Sequence, residues 1–392
     1  MILDKVGDDA AFRAALRAWL GTVLQAPEAR PTPGDSRSFY ESQKWWMAER
    51  HKVGLGTPHW PSAYGGADLG LRDQIIIAEE VARARAPTLG LFTVSLNHLP
   101  HTLLKWGTEA QRATYLPGVT RDGVMWCQGF SEPGAGSDLA ALRTRAVRDG
   151  DVYVVNGQKI WSSYSMYAEY CILLTRTDPD AAKHGGITFL ILDMNTPGVE
   201  VRPLRQANGM AKFAEIFLTD VRIPVENRVG DENNGWAVAQ TTLASERGVL
   251  SFERNERLRY HMEDFHAEAL RRDAPWLRDD ELRREFMRLF MEMQGCRRLM
   301  RRLLRQTEAG SPAASSTVPY VKLINTELRK SAGEFMVRAN GIDALDYVPG
   351  FDELSLDPMF TYMTALGGTI AGGSNEIMRN LIAERILGMP RG

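Results

Sequence analysis

The feature that most constrains the fold of this chain is its sequence periodicity, which changes twice. Apolar residues recur at helical spacing in the first third, then short runs of strand-forming residues alternate with turn residues, and long helical patterns return afterwards. This order predicts an α+β protein. We expect an N-terminal helical domain over 1–124, a middle β-barrel or sandwich over 125–235 and a C-terminal helical domain over 236–392.

The middle region carries the clearest local signals. Asn156-Gly157 lies between Asp151–Val155 and the run Gln-Lys-Ile-Trp, and Asn-Gly between two such runs predicts a β-hairpin. Further strands are predicted over 170–175, 187–192, 199–202 and 214–218. In the helical parts the pattern predicts helices over 11–20, 75–81, 236–270, 279–309, 318–339 and 374–387, and Thr108 with Gln111 has the spacing of a capping box.

Composition excludes several classes of protein. The formal net charge is −2, which argues against a general nucleic-acid binder, and no apolar run is long enough for a membrane span. The three cysteines are widely spaced, so they predict a reducing, cytoplasmic compartment and no disulfide framework. The close pair His98 and His101 has no third ligand nearby in sequence, so no metal site is predicted.

The segment Phe130–Asp138 contains a Gly-x-Gly pattern after an apolar run. A dinucleotide-binding loop of the Rossmann type would need a helix next, and strand-like sequence follows here. The segment either brings backbone N–H groups with Ser131 and Ser137 to a ligand or forms a tight structural turn.

Two further segments suggest ligand contacts. In Lys159-Ile-Trp-Ser-Ser, Trp161 could stack on a flat ring beside two hydroxyls, or it could be a core residue. In the glycine-rich run from Ala371, the start of the last helix offers free N–H groups to phosphate, carbonyl or flavin oxygens. The alternative there is plain helix capping by Ser374.

A carboxylate stands on a predicted apolar helix face. Ala239, Leu243, Glu246 and Leu250 fall at i, i+4, i+7 and i+11, so Glu246 is expected to be buried. A buried carboxylate either pairs with a cation or has a raised pKa, which suits a general base. Arg247 points about 100° away on the helix and is not the natural intrahelical partner.

The helix predicted over 279–309 is strongly basic. A solvated face with glutamate partners is the favoured interpretation, and phosphate binding is the alternative. Its arginines are Arg283, Arg284, Arg288, Arg297, Arg298, Arg301, Arg302 and Arg305.

Taken in order, these segments resemble the acyl-CoA dehydrogenase family over nearly the whole chain. The motifs that carry the resemblance are Trp60-Pro-Ser-Ala-Tyr-Gly-Gly, Trp106-Gly-Thr-Glu-Ala-Gln, Phe130 to Asp138, Lys159-Ile-Trp-Ser-Ser and Gly235-Trp.

The resemblance implies the fold of that family, with a C-terminal four-helix bundle. It also implies FAD as cofactor and oxidation of the Cα–Cβ bond of an acyl-CoA thioester, in which a glutamate removes the α-proton while a β-hydride passes to flavin N5. Electron-transfer flavoprotein would accept the electrons, and the assembly would be a homotetramer or an α2β2 heterotetramer. By similarity the FAD contacts are Gln128, Phe130, Ser131, Gly136, Ser137, Trp161, Ser163, Ser374 and Glu376, with Ser137 also near the CoA arm.

One departure from the family pattern concerns the base. Many members carry it just before the last helix, where this chain has Gly372. Other branches carry it on the first long C-terminal helix, and the matching residue here is Glu246, followed by the family's arginine, Arg247. The resemblance therefore implies Glu246 as base and Arg247 and Gly372 as substrate contacts, with the Gly372 N–H free to polarise the thioester carbonyl. The small residues at 371 and 372 suit a bulky or branched acyl group.

A second departure concerns assembly. The family's Arg-x-x-Phe-Gly segment is not evident over 279–290, nor its glycine-rich adenine segment over 338–350. This pattern resembles a bacterial α2β2 branch that acts on steroid side chains or other bulky acyl-CoAs. The alternatives are a non-catalytic subunit, a carrier-protein thioester as substrate, and a flavin monooxygenase, against which Glu246 argues.

Overall fold

The computed structural model describes residues 8–30, 32, 35–244, 249–347 and 357–390. The chain divides into two compact units. The helical unit comprises Met1–Ser42, Leu69–Thr88 and Arg247–Gly392, and the sheet unit comprises Gln43–Asp68 and Leu89–Glu246. Within the described ranges, no helix has the length and apolar character needed to cross a membrane.

The elements are numbered in chain order. The α-helices are α1 (Asp9–Val23), α2 (Ser36–Lys52), α3 (Leu71–Arg83), α4 (Leu99–Trp106), α5 (Glu109–Asp122), α6 (Gly235–Ala244), α7 (Val249–Arg271), α8 (Asp280–Glu308), α9 (Ala313–Asn340), α10 (Pro358–Gly368) and α11 (Asn375–Leu381). The strands are β1 (Trp126–Gly129), β2 (Arg145–Asp149), β3 (Val152–Ser163), β4 (Tyr170–Arg176), β5 (Ile187–Asp193), β6 (Val199–Leu204), β7 (Phe213–Pro224) and β8 (Arg228–Val229).

The core of the helical unit forms around α8. Asp279 caps its N-terminus by accepting hydrogen bonds from Glu281 N and Leu282 N, which satisfies two free donors of the first turn. Apolar residues at helical spacing then face inward along its length and pack against residues of α7 and α9. These buried residues include Leu289, Met293, Met300 and Phe335. The helix predicted over 279–309 is confirmed.

The helices of the C-terminal region differ from the predictions in four ways. The segment predicted as one helix over 236–270 contains α6 and α7, and residues 245–248 between them lie outside the described residues. Helix α9 begins at Ala313, before the predicted start at 318, and so contains Pro319 in its second turn. Helix α10 was not predicted, and the last helix ends its α-helical part at Leu381 before a π-helical turn, Ile382–Ile386.

The sheet unit contains one mixed sheet with strand order β6-β7-β3-β2-β4-β5-β8, and β1 pairs with β4 in parallel. Strands β4 and β5 are nearly continuous apolar runs, and both are buried along almost their whole length. The four strands predicted over 170–175, 187–192, 199–202 and 214–218 are confirmed, and so is the α+β class. The division into domains at 124 and 235 stays a prediction.

The hairpin predicted at Asn156-Gly157 is wrong. Strand β3 runs through both residues, and Asn156 pairs with Arg145 of β2. The turn lies between β2 and β3, where Asp149 pairs with Val152 across Gly150-Asp151. Gly150 has a φ of +60°, and glycine at the first position of a two-residue loop is itself a hairpin signal. Gly157 is required for another reason: a Cβ there would lie 2.6 Å from Thr144 Oγ1.

Candidate active site

The loop that follows β1 is built on a tight turn. Glu132 N donates to Ala135 O and Ala135 N donates to Glu132 O. A short 3-10 turn and then β2 follow, so no helix opens after the Gly-x-Gly pattern, as the sequence indicated. Phe130 is buried edge-to-face on Phe189, with 5.8 Å between ring centroids. The other predicted contacts are half-buried (Gln128 and Ser131) or exposed (Gly136 and Ser137).

Trp161 is not a core residue. Its side chain is 58% exposed, and its backbone φ of +60° lies in the left-handed region, which is unusual for a bulky side chain. The pairing of β3 with β7 shifts register between Lys159 and Ser162, so the strand is irregular at this position. The indole packs edge-to-face on Phe213 and keeps much of its surface open, and Ser163 beside it is half-buried. Strained backbone of this kind clusters at ligand sites.

The structure brings the loop and the end of β3 together. Ile160 N donates to Ser131 O at 3.0 Å, so Ser131 lies beside Trp161 in the sheet unit. The hydroxyls of Ser162 and Ser165 are buried without a hydrogen-bond partner among the described residues. An exposed indole next to unsatisfied hydroxyls suits a flat ring with polar edges, so the residues present fit a flavin.

In the helical unit, Ser374 caps α11, and its Oγ accepts from Ile377 N at 3.4 Å. Gly372 and Gly373 before it have φ of +64° and +87°, a conformation that favours glycine. Glu376 in the first turn is exposed, and hydrogen bonds from its own backbone N–H and from the Ser374 hydroxyl lower its pKa. The alternative interpretation, that Ser374 caps the last helix, is confirmed, and its contact with FAD stays a prediction.

Sequence reasoning missed Asn375, which is only 1% exposed and makes four hydrogen bonds. Its backbone N donates to Thr369 O at 2.8 Å, and its side-chain amide donates to Glu327 Oε1 at 2.8 Å. Its Oδ1 accepts from Lys322 Nζ at 2.7 Å and from Thr326 Oγ1 at 2.9 Å. Asn375 therefore fastens the glycine loop and the start of α11 to α9.

The predicted base and its neighbour, Glu246 and Arg247, lie outside the described residues. Of the apolar stripe on which the base was predicted, Ala239 is buried, and Leu243 and Leu250 are half-buried.

The basic helix α8 has two kinds of arginine. Arg297 Nη2 donates to Glu79 at 2.7 Å, its Nε donates to Glu256 at 2.6 Å, and Arg301 also pairs with Glu79, so the expected glutamate partners exist for these two. Three others line an open cleft of about 300 Å³ and have no carboxylate partner among the described residues: Arg298, Arg302 and Arg305.

Comparison with known proteins gives the family of this chain. The family models for the N-terminal, middle and C-terminal domains of acyl-CoA dehydrogenases match residues 7–122, 127–221 and 233–387. The acyl-CoA dehydrogenase IpdE1 of Mycobacterium tuberculosis is 36% identical over 97% of this chain and 97% of its own length.

Two solved structures are similar over nearly the full length. The Tcur3481-Tcur3483 steroid ACAD has a TM-score of 0.84 at 30% identity and covers 98% of each chain. The ChsE4-ChsE5 complex from Mycobacterium tuberculosis has a TM-score of 0.80 at 30% identity and covers 100% of each chain. The chain belongs to the acyl-CoA dehydrogenase family. It is an FAD-dependent oxidoreductase that acts on the CH–CH group of an acyl-CoA.

Proposed function

We propose that this chain dehydrogenates a bulky or branched acyl-CoA with Glu246 as the catalytic base. The observation that carries the assignment is the loop before α11, which offers no side-chain base: Gly372 has none, and the Ser374 hydroxyl caps the helix. Glu376 is a poor candidate because its pKa is lowered. Glu246 is the carboxylate at the other position that the family uses.

Each proposed site residue has a separate role in the reaction. The Glu246 carboxylate accepts the α-proton of the thioester, and the Gly372 backbone N–H polarises the thioester carbonyl, which makes that proton acidic. FAD, when bound, supplies the chemistry that accepts the β-hydride. Trp161 and Ser163 hold the flavin ring, and Ser374 and Glu376 contact FAD from α11. Arg247 and Ser137 bind the substrate. The segment that follows β1 supplies the remaining FAD contacts: Gln128, Phe130, Ser131 and Gly136.

The decisive test is the substitution Glu246→Gln in the FAD-loaded enzyme, with the exposed Glu41→Gln as matched control. We expect product formation to fall by at least about 10²-fold, because a general base contributes about 10²–10⁴-fold. The flavin spectrum should stay as in the wild type, and the control should keep its rate. Full activity of Glu246→Gln would overturn the assignment.

A bulky substrate is supported by two observations. Gly372 leaves space where many family members place a carboxylate, and the similar Tcur3481-Tcur3483 protein is described as a steroid ACAD. A screen of straight-chain, branched and ring-bearing acyl-CoAs for bleaching of the flavin absorbance tests this. We expect ring-bearing thioesters to bleach faster, and a preference for straight chains would contradict the proposal.

We also propose an α2β2 assembly with a related chain, in which this chain supplies the base. Two similar structures are named as pairs of different chains. In addition, Met287 and Met291 of α8 are 55% and 66% exposed, and exposed apolar side chains of this kind suit a contact with another chain. Co-expression with its genomic neighbour, followed by measurement of mass and flavin content, tests this. A homotetramer with a full complement of FAD would contradict it, whereas a complex in which Glu246→Gln stays active would identify this chain as the non-catalytic subunit.

Electron-transfer flavoprotein as acceptor and a cytoplasmic location complete the proposal. The three cysteines are buried and unpaired, and burial raises the pKa of Cys296 to about 12, which suits a reducing compartment. Turnover with purified electron-transfer flavoprotein, compared with turnover with oxygen, tests the acceptor.

A further inference from the structure

Lys159 is an unusual residue for the interior of a β-sheet unit. Its side chain is 0% exposed, and it lies on β3 two residues before Trp161. An ammonium group without water needs an opposite charge and hydrogen-bond acceptors. Lys159 Nζ donates to Glu132 Oε1 at 2.8 Å and to Phe130 O at 3.2 Å.

Glu132 is the centre of a wider set of contacts. Its side chain is 9% exposed. Besides Lys159, its Oε1 accepts from Thr144 N at 2.8 Å and its Oε2 accepts from Arg143 N at 2.7 Å. The same residue closes the tight turn with Ala135 through its backbone. One carboxylate thus joins the turn to the residues that lead into β2.

The buried pair therefore connects three segments. Through Phe130 O it holds the start of the loop, through Arg143 and Thr144 it holds the end, and Lys159 itself belongs to the strand that presents Trp161. We propose that Glu132 and Lys159 are positioning residues that hold the loop over 130–144 and the Trp161 segment at the spacing that FAD requires. This inference rests on the FAD contacts of the proposed function.

The charges provide what an apolar pair could not. Two aliphatic side chains would fill the same volume, but they would leave two backbone N–H groups and one carbonyl without partners. Burial acts to raise the pKa of Glu132, but Lys159 and the hydrogen bonds from Thr144 and Arg143 outweigh it, so the carboxylate stays ionised at neutral pH. A buried ion pair of this kind contributes orientation more than stability.

The test uses Glu132→Gln, which keeps the shape and removes the charge, and the neutralised pair Glu132→Gln with Lys159→Met. The matched control is Lys183→Met. Lys183 also pairs with a carboxylate of the loop over 130–144, that of Asp138 at 2.7 Å, but both side chains of this pair are exposed. Each variant is prepared without FAD and reloaded. Three quantities are measured: the dissociation constant for FAD, the absorption and fluorescence of bound flavin, and the thermal midpoint without FAD.

We expect Glu132→Gln to weaken FAD binding by about tenfold or more, which corresponds to about 1.4 kcal/mol, because the loop over 130–144 is no longer held against the Trp161 segment. The flavin fluorescence should change with it, because the ring meets Trp161 in a different geometry. The neutralised pair should also bind FAD weakly even where it recovers the thermal midpoint. Lys183→Met should match the wild type in all three measurements.

A lowered thermal midpoint with unchanged FAD affinity and unchanged flavin spectra in both variants would show a merely structural role and overturn the inference. Trp161→Ala separates this from a failure of the proposed site. If Trp161→Ala leaves FAD binding unchanged, the cofactor contacts themselves are misplaced, whatever Glu132 does. If Trp161→Ala weakens binding and Glu132→Gln does not, the site stands and the positioning role is wrong.

Discussion

Two glycine-containing loops carry the proposed ligand contacts, and they are fastened in different ways. In the sheet unit, the loop after Phe130 is held by an ion pair, Glu132 with Lys159, whose side chains are 9% and 0% exposed. In the helical unit, the loop before α11 is held by the neutral amide of Asn375, whose partners include Lys322 and Glu327.

The difference lies in what remains when the fastening residue is lost. The sheet-unit pair is almost fully buried, so one charge without the other keeps its backbone partners but has no opposite charge and little water to replace it. Lys322 and Glu327 are half-buried, so they can turn towards water when the amide is removed. The two loops have similar tasks, but the charged fastening is the more vulnerable.

The largest expected effect is that of Lys159→Met. It leaves the Glu132 carboxylate buried without its cation, which destabilises proteins by about 3–5 kcal/mol. Urea unfolding of the FAD-free protein measures this. The surface substitution Lys183→Met should lower the free energy of unfolding by at most about 1 kcal/mol. Equal losses in the two variants would contradict the comparison.

Asn375→Ala should have a smaller effect, about 1–3 kcal/mol, because it removes hydrogen bonds whose partners can rehydrate. The same urea titration applies. Asn375→Asp is the informative second variant, since a carboxylate keeps the contact with Lys322 but faces the negative charge of Glu327. A loss for Asn375→Ala that matches that of Lys159→Met would show that both loops depend equally on their fastening.

The sequence predicts elements whose pattern is long and local. The heptad-like spacing of α8 and the apolar runs of β4 and β5 are sufficient, because burial of one face decides the structure. The turn at Gly150-Asp151 does not stand out in the sequence, because Asn156-Gly157 carries a hairpin signal of its own. Only the tertiary approach of Thr144 to Gly157 decides between them.

In the candidate site, too, local contacts could be predicted from the sequence and long-range contacts could not. Ser374 capping follows from three adjacent residues, whereas Lys159 meets Glu132 across 27 residues and Asn375 meets Lys322 across 53. One signal was available for Lys159: it shares alternate spacing with Tyr153 and Val155, so period-two reasoning places it on the buried face. For Asn375 the amide identity alone gives no such indication.

Backbone strain also differs between the loop before α11 and the end of β3. Gly372 has a φ of +64°, so Gly372→Ala should lower the free energy of unfolding by about 1–2 kcal/mol. Trp161 already bears this strain at +60°, and Trp161→Gly relieves it while losing an edge-to-face contact worth about 0.5–1.5 kcal/mol. Urea midpoints of the FAD-free proteins should therefore fall for Gly372→Ala and stay near the wild type for Trp161→Gly. A large loss for the second would mean that the ring holds the fold.

The smallest effect is confined to acid pH. Although burial acts to raise the pKa of Glu132, Lys159 and the hydrogen bonds hold it below its ordinary value of 4.5. The ionised carboxylate therefore stabilises the fold fully at pH values above about 4.5, the pKa in the unfolded state. This contribution is lost as the pH falls through the lower pKa of the folded state. Glu132→Gln lacks the titration, whereas Asn375→Ala keeps it. Between pH 7 and pH 4 the wild type and Asn375→Ala should lose equal free energy of unfolding, and Glu132→Gln should lose less. If the free energy of unfolding falls equally with pH in all three proteins, Glu132 has the same pKa in the folded and unfolded states, which would contradict the prediction.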